Sequence, residues 1–211
     1  MVEVVTDTRE IHAVLMEAFG RFLDVYAQYG GYRYHGWVDY GDPQNYKGPT
    51  FWSEDDCIYR LALELEREFP HEVHLELPVA RWSFADFDES ADKRERVDLV
   101  VSRLLNFIED ETSQERFMCY PHELFVEGKY LPAGCSKTWR FDHERKIADV
   151  LADAERLARH VQRHHCLVAA VFVVDDDNLF EELRNDHSWP DCVDLLVASP
   201  KKLAERGITV P

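Results

Sequence analysis

With 211 residues, 45% of them apolar and 31% charged, the chain has the composition of one globular domain with a single core, not of a disordered or fibrous protein. Against 24 basic side chains stand 41 acidic ones; the net charge of −17 repels polyanions at long range and argues against indiscriminate coating of DNA. No apolar run reaches the roughly 18 residues of a membrane span, and the opening Met1–Asp7 lacks a basic segment followed by an apolar one, so the expectation is a cytoplasmic protein with no membrane partner.

In chain order, Asp7 and Glu10 form a capping pattern that opens a helix over 7–26, with Ile11, Val14, Leu15, Ala18, Phe19, Phe22 and Val25 at helical spacing. From Tyr29 to Pro49 no period is sustained. This reads as a long loop, whose Trp37, Tyr40 and Tyr46 either line the rim of a cleft or pack as a covering flap. Ser53 is an N-cap for a second helix carrying Ile58, Leu61, Leu65 and Phe69 as far as Pro70. Alternation over Val73–Val79 predicts a strand with one wet face, and Val97–Val101 a short apolar strand interrupted by Asp98. The stretch 102–120 is ambiguous, with a short helix over Leu104–Glu111 as the expectation. Leu124–Tyr130 reads as a strand. Glu144–His165 is a helix with Ile147, Val150, Leu151, Ala154, Leu157, Ala158 and Val161 on one stripe. Leu167–Val174 is apolar throughout, as in a strand buried on both faces. A short helix over 178–185, a strand over Cys192–Ala198 and a helical turn over Lys201–Arg206 complete an α/β layering around a mixed sheet.

Charged side chains inside apolar strands are costly unless they are paired or hold a metal, so Asp98 and Glu127 require a reason. Glu127 and Lys129 are two apart on a strand and leave its same face, where a neighbouring strand can bring Asp98 beside them. Two adjacent carboxylates repel, and a hard cation such as Mg²⁺ relieves that repulsion while keeping positions open for a phosphate; an ammonium alongside can stabilise the charge that develops during its hydrolysis. Taken alone, Glu-x-Lys is an ordinary same-face ion pair. Its place in the order of elements gives it meaning.

In that order, Asp98, Glu127 and Lys129 on consecutive strands resemble the PD-(D/E)xK motif of the restriction-endonuclease-like nucleases. Residues Asp153, Arg156 and Leu157 on the following helix resemble the Asp-x-x-Arg-Leu often seen there. The resemblance covers roughly 53–175 and implies a mixed β-sheet flanked by helices, with core order αβββαβ. Residues 1–52 would then be an added N-terminal helix and long loop, and 53–211 the nuclease-like core with a C-terminal strand and helix. It further implies phosphodiester hydrolysis of nucleic acid, DNA in the first instance, with Mg²⁺ or Mn²⁺ held by Asp98 and Glu127 and with Lys129 as the stabilising cation. No proline precedes Asp98, and the long stretch between Asp98 and Glu127 predicts an insertion that loops out between their strands.

Relatives often carry a further acid on the first core helix. Among the candidates here, only Glu54 combines a place in the first turn with alignment on the stripe of Ile58, Leu61, Ala62, Leu65 and Phe69; it is the expected helper of the metal or its water, or else a favourable charge at the helix's positive end. The stretch Lys137–His165 is the sizeable one in which basic side chains outnumber acidic ones, and Arg140 and Lys146 are the expected phosphate contacts on this locally non-acidic face. His160, His164, His165 and Cys166 have no intervening glutamate and no identifiable further ligand, so they read first as a polar helix end, with a zinc site serving a different metallohydrolase as the weaker alternative. The five cysteines are scattered, with no Cys-x-x-Cys pair, and are expected to be buried free thiols. The rival to an enzyme is a non-catalytic module that keeps the nuclease fold and binds a protein partner in a larger nucleic-acid-processing or defence assembly. The strong acidity suits that rival.

Overall fold

The computed structural model describes residues 8–29, 53–70, 72–78, 96–102, 107–109, 116–118, 122–131, 140–164, 166–176, 178, 180 and 188–208. The elements are α1 (Thr8–Tyr29), α2 (Glu54–Leu65), β1 (Val73–Pro78), β2 (Arg96–Ser102), β3 (Phe107–Glu109), β4 (Arg116–Met118), β5 (His122–Leu131), α3 (Arg140–His164), β6 (Val168–Asp175), β7 (Asp194–Ala198) and α4 (Pro200–Glu205). Five strands form one mixed sheet in the order β1-β2-β5-β6-β7. β1, β2 and β5 run antiparallel as neighbours, whereas β5, β6 and β7 are parallel. Parallel neighbours need a crossover, and α3 supplies the one between β5 and β6.

Each face of the sheet has its own apolar core. On one side Ile11, Leu15, Ala18, Phe22 and Tyr26 of α1 and Ile58, Leu61 and Leu65 of α2 pack over Leu124, Val126, Ala170 and Phe172. Phe22 meets Phe172 edge to face at 4.7 Å between ring centroids, the arrangement that aromatic quadrupoles favour. On the other side Ile147, Val150, Ala154 and Leu157 of α3 cover Val100, Phe125, Ala169, Val171 and Val173. β6 is buried along its whole length because both cores meet on it, which is why its sequence is apolar without alternation.

Three expectations are corrected. The short helix over Leu104–Glu111 is replaced in its described part by β3, which pairs with β4 as an antiparallel ribbon (Phe107↔Met118, Ile108↔Phe117, Glu109↔Arg116). So short a helix would be marginal, while a nearby strand supplies backbone partners at once. In β1 the apolar side is not uniformly covered: Leu75 is 44% exposed and Glu76 adopts a left-handed backbone (φ 54°), so strict alternation fails on this outer strand. Cys57 and Cys166 are buried thiols, but Cys192 is exposed. Cys119 and Cys135, the loop over 30–49 with its aromatics, and most of 178–185 lie outside the described residues. No helix among the described residues is long and apolar enough to cross a membrane.

Candidate active site

The site begins where the ladder between β2 and β5 stops. Its last pair toward the site is Leu99↔Val126, and continuing that register by one residue sets Asp98 opposite Glu127. β2 stays paired with β1 as far as Pro78↔Arg96, and β5 stays paired with β6 as far as Leu131↔Asp175. The sheet thus forks between β2 and β5. At the fork the Gly128 N–H donates to Asp98 Oδ2 at 2.8 Å, so a side chain replaces the missing ladder partner.

Gly128 is needed for a steric reason. Ile58 of α2 lies so close above it that an added Cβ would overlap the isoleucine side chain. This close approach brings the start of α2 to the fork, one helical turn before Ile58. Ser53 caps that start, its Oγ accepting from Asp56 N–H at 3.3 Å, and Glu54 is the first helical residue. Lys129 donates from Nζ to Glu54 Oε1 at 3.0 Å and to the Gly128 carbonyl at 2.9 Å, and its Nζ lies 3.0 Å from Asp153 Oδ2 on α3. Each of the ammonium's three hydrogens therefore has an oxygen within reach. Arg156, one turn further along α3, places one guanidinium nitrogen 2.6 Å from Glu127 Oε1 and 2.9 Å from Asp153 Oδ1.

The result is an alternating series of charges, Glu54, Lys129, Asp153, Arg156 and Glu127, with Asp98 at its end. Four carboxylates face two bases, so the fully ionised group carries two excess negative charges. Burial, with the Asp98 carboxylate next to it, pushes Glu127 up to about 9 despite the pull of Arg156, and the two carboxyls share a hydrogen bond. A buried pair of like charges relieves itself in this way, by keeping a proton. Burial works to lower the Lys129 amine, but Asp153 and Glu54 together outweigh it and hold the amine above its ordinary range.

The fork unites Asp98, Glu127 and Lys129. Glu54 arrives as well, but onto Lys129. Among the described residues no three His, Cys, Asp or Glu side chains stand together as a ready-made cation cage; Lys129 and Arg156 stand between the acids. Asp153 and Arg156 were visible in sequence only as part of a helix resemblance. Their signal was that both flank the apolar stripe of α3, Asp153 one residue before Ala154 and Arg156 one before Leu157. Arg140 and Lys146 lie on α3, with their side chains outside the described part of the structure. His160 is buried against Phe125, and the Cys166 thiol, pushed up to about 12 chiefly by burial, donates to the Val168 carbonyl at 3.0 Å.

On the opposite side of β5, Tyr26 of α1 and Tyr130 both donate to Asp176, at 2.8 and 2.9 Å. Burial beside Asp176 drives the Tyr26 hydroxyl far above its usual range, so it remains a donor at any ordinary pH. The pair ties α1 to the ends of β5 and β6. Compared with protein families, with curated proteins and with solved structures, the chain matches none.

Proposed function

We propose that this protein is a divalent-cation-dependent nuclease with a restriction-endonuclease-like core, and that the fork is its active site. The observation that carries the reading is the meeting of Asp98 and Glu127 from adjacent strands, with Lys129 two residues beyond Glu127 and bonded to the Gly128 carbonyl between them. The order α2-β1-β2-β5-α3-β6, set aside the β3–β4 ribbon, supports it as the αβββαβ arrangement.

The donor set fits Mg²⁺ or Mn²⁺. Mg²⁺ takes one or two carboxylates and fills its remaining positions with water and phosphate oxygens. Asp98 and Glu127 supply that pair, and Glu127 Oε1 is buried without an aligned hydrogen bond. Once the Glu127 proton is released, the two excess negative charges of the group equal the charge of one such cation. When bound, the cation would supply Lewis-acid polarisation of the phosphate and a water of lowered pKa. Lys129 would supply a cation to the negative charge that grows on the phosphorus oxygens, with Glu54 and Asp153 holding that amine charged and oriented.

A second reading, a non-catalytic module of the same fold, draws on the net charge of −17, which takes away the counterion-release gain that normally drives DNA affinity. Incubation of plasmid and single-stranded DNA with Mg²⁺ or Mn²⁺ separates the two. The wild type is expected to cleave, and Asp98→Ala and Lys129→Ala each to lose at least about a hundredfold in rate. Equal rates in all three, or no cleavage by any, would reject the nuclease assignment.

A further inference from the structure

Arg156 and Lys129 hold their carboxylates differently. Lys129 has an oxygen for each of its hydrogens. Arg156 comes within 2.6 Å of Glu127 Oε1, yet both that oxygen and Arg156 Nε are buried without an aligned hydrogen bond. A guanidinium that orients a carboxylate does so through parallel N–H···O bonds. Here the contact brings a positive charge to the Asp98–Glu127 pair at close range without the paired, aligned N–H···O geometry of a clamp. The same nitrogen also reaches Asp153 Oδ1 at 2.9 Å, one turn earlier on α3, and the side chain is 26% exposed. Arg156 therefore has a second anchor and a route toward solvent.

We propose that Arg156 is a built-in counter-cation for the Asp98–Glu127 pair, from which an incoming divalent cation displaces it while Asp153 retains the guanidinium. The inference rests on the fork being a cation site. It adds that the protein's own positive charge competes for that site and sets how much cation is needed to fill it. An orienting clamp would do the opposite, since its removal would cost cation affinity.

The test uses the whole chain, prepared cation-free and titrated with Mn²⁺ alone in a calorimeter. Arg156→Gln is expected to bind Mn²⁺ about tenfold more tightly than wild type, because a unit charge next to the dication has been removed. Arg156→Lys, which keeps the charge without the guanidinium, is expected to stay within about threefold of wild type. Equal or weaker binding by Arg156→Gln, or binding by Arg156→Lys as tight as that of Arg156→Gln, overturns the proposal. A measurement on the wild type needs no variant to fold: the Arg156 Nε–Hε resonance is expected to shift in step with Mg²⁺ occupancy, and a resonance that stays in place while Mg²⁺ binds overturns it too. If the wild type binds neither cation, the nuclease reading fails and this inference with it; if the wild type binds and the Arg156 results go the other way, only the inference fails.

Discussion

At Glu127, burial and a neighbouring carboxylate act in the same direction, and the consequence is measurable as stability. The folded state keeps the Glu127 proton up to about pH 9, whereas the unfolded chain gives it up near the ordinary value of 4.5. Between those values the folded state binds more protons, so this group's contribution falls as pH rises, with a slope of up to about 1.4 kcal/mol per pH unit. In cation-free protein, Glu127→Gln is therefore expected to gain on wild type in urea unfolding as pH is raised from 6 to 8; parallel pH curves for the two proteins would contradict the assigned proton. One residue along, Gly128→Ala is expected to cost about 1–3 kcal/mol, because Ile58 must move. Combining it with Ile58→Ala should cost less than the two single losses added, as checked by a double-mutant cycle. The identities of Asp98, Glu127 and Lys129 were legible in sequence because a charge inside an apolar strand stands out. The need for glycine at 128 was not, since it comes from a helix that crosses β5 from far away in the chain.

The elements with strong periods were legible. α1, α2 and α3 follow their apolar stripes, and the unbroken run of β6 announced a strand covered on both faces. The β3–β4 ribbon was not, because each strand is stabilised by the other and neither carries a sustained pattern of its own. Nor was the fork, which depends on where a ladder stops, a property of two strands together. Asp153 and Arg156 belong to this scale: α3 delivers them from one side of the sheet while α2 delivers Glu54 from the other, and Lys129 in the opening joins the two. The Tyr26–Asp176–Tyr130 tie fixes α1 from behind. Tyr26→Phe removes one bond to a carboxylate and is expected to cost about 1.5–3 kcal/mol in chemical unfolding. Its Mn²⁺ affinity should match that of wild type. A changed affinity with unchanged stability would place Tyr26 in the proposed cation site, contrary to its bond to Asp176 on the other side of β5.

Across the whole molecule the −17 charge and the fork have to be reconciled. A strongly acidic surface gives a polyanion little to hold, so under the proposed nuclease reading affinity for DNA would come from a few contacts at the fork and from a cation shared by carboxylate and phosphate. Such a complex releases few counterions. The dependence of log K on log salt, measured at fixed Mg²⁺, is expected to be shallow, corresponding to about two phosphates neutralised; a steep slope would point to a basic face elsewhere on the chain. The sequence disclosed the sign and size of the total charge, but not that two bases would be enclosed among four acids at one point of the sheet. The claim beneath the whole account is that Asp98 and Glu127 jointly hold one divalent cation. Calorimetric titration of Mn²⁺ into the wild type and Asp98→Asn tests it most directly. One cation per chain is expected in the wild type, with at least about a tenfold loss of affinity in Asp98→Asn; identical isotherms, or no binding to the wild type, would contradict a shared cation at Asp98 and Glu127.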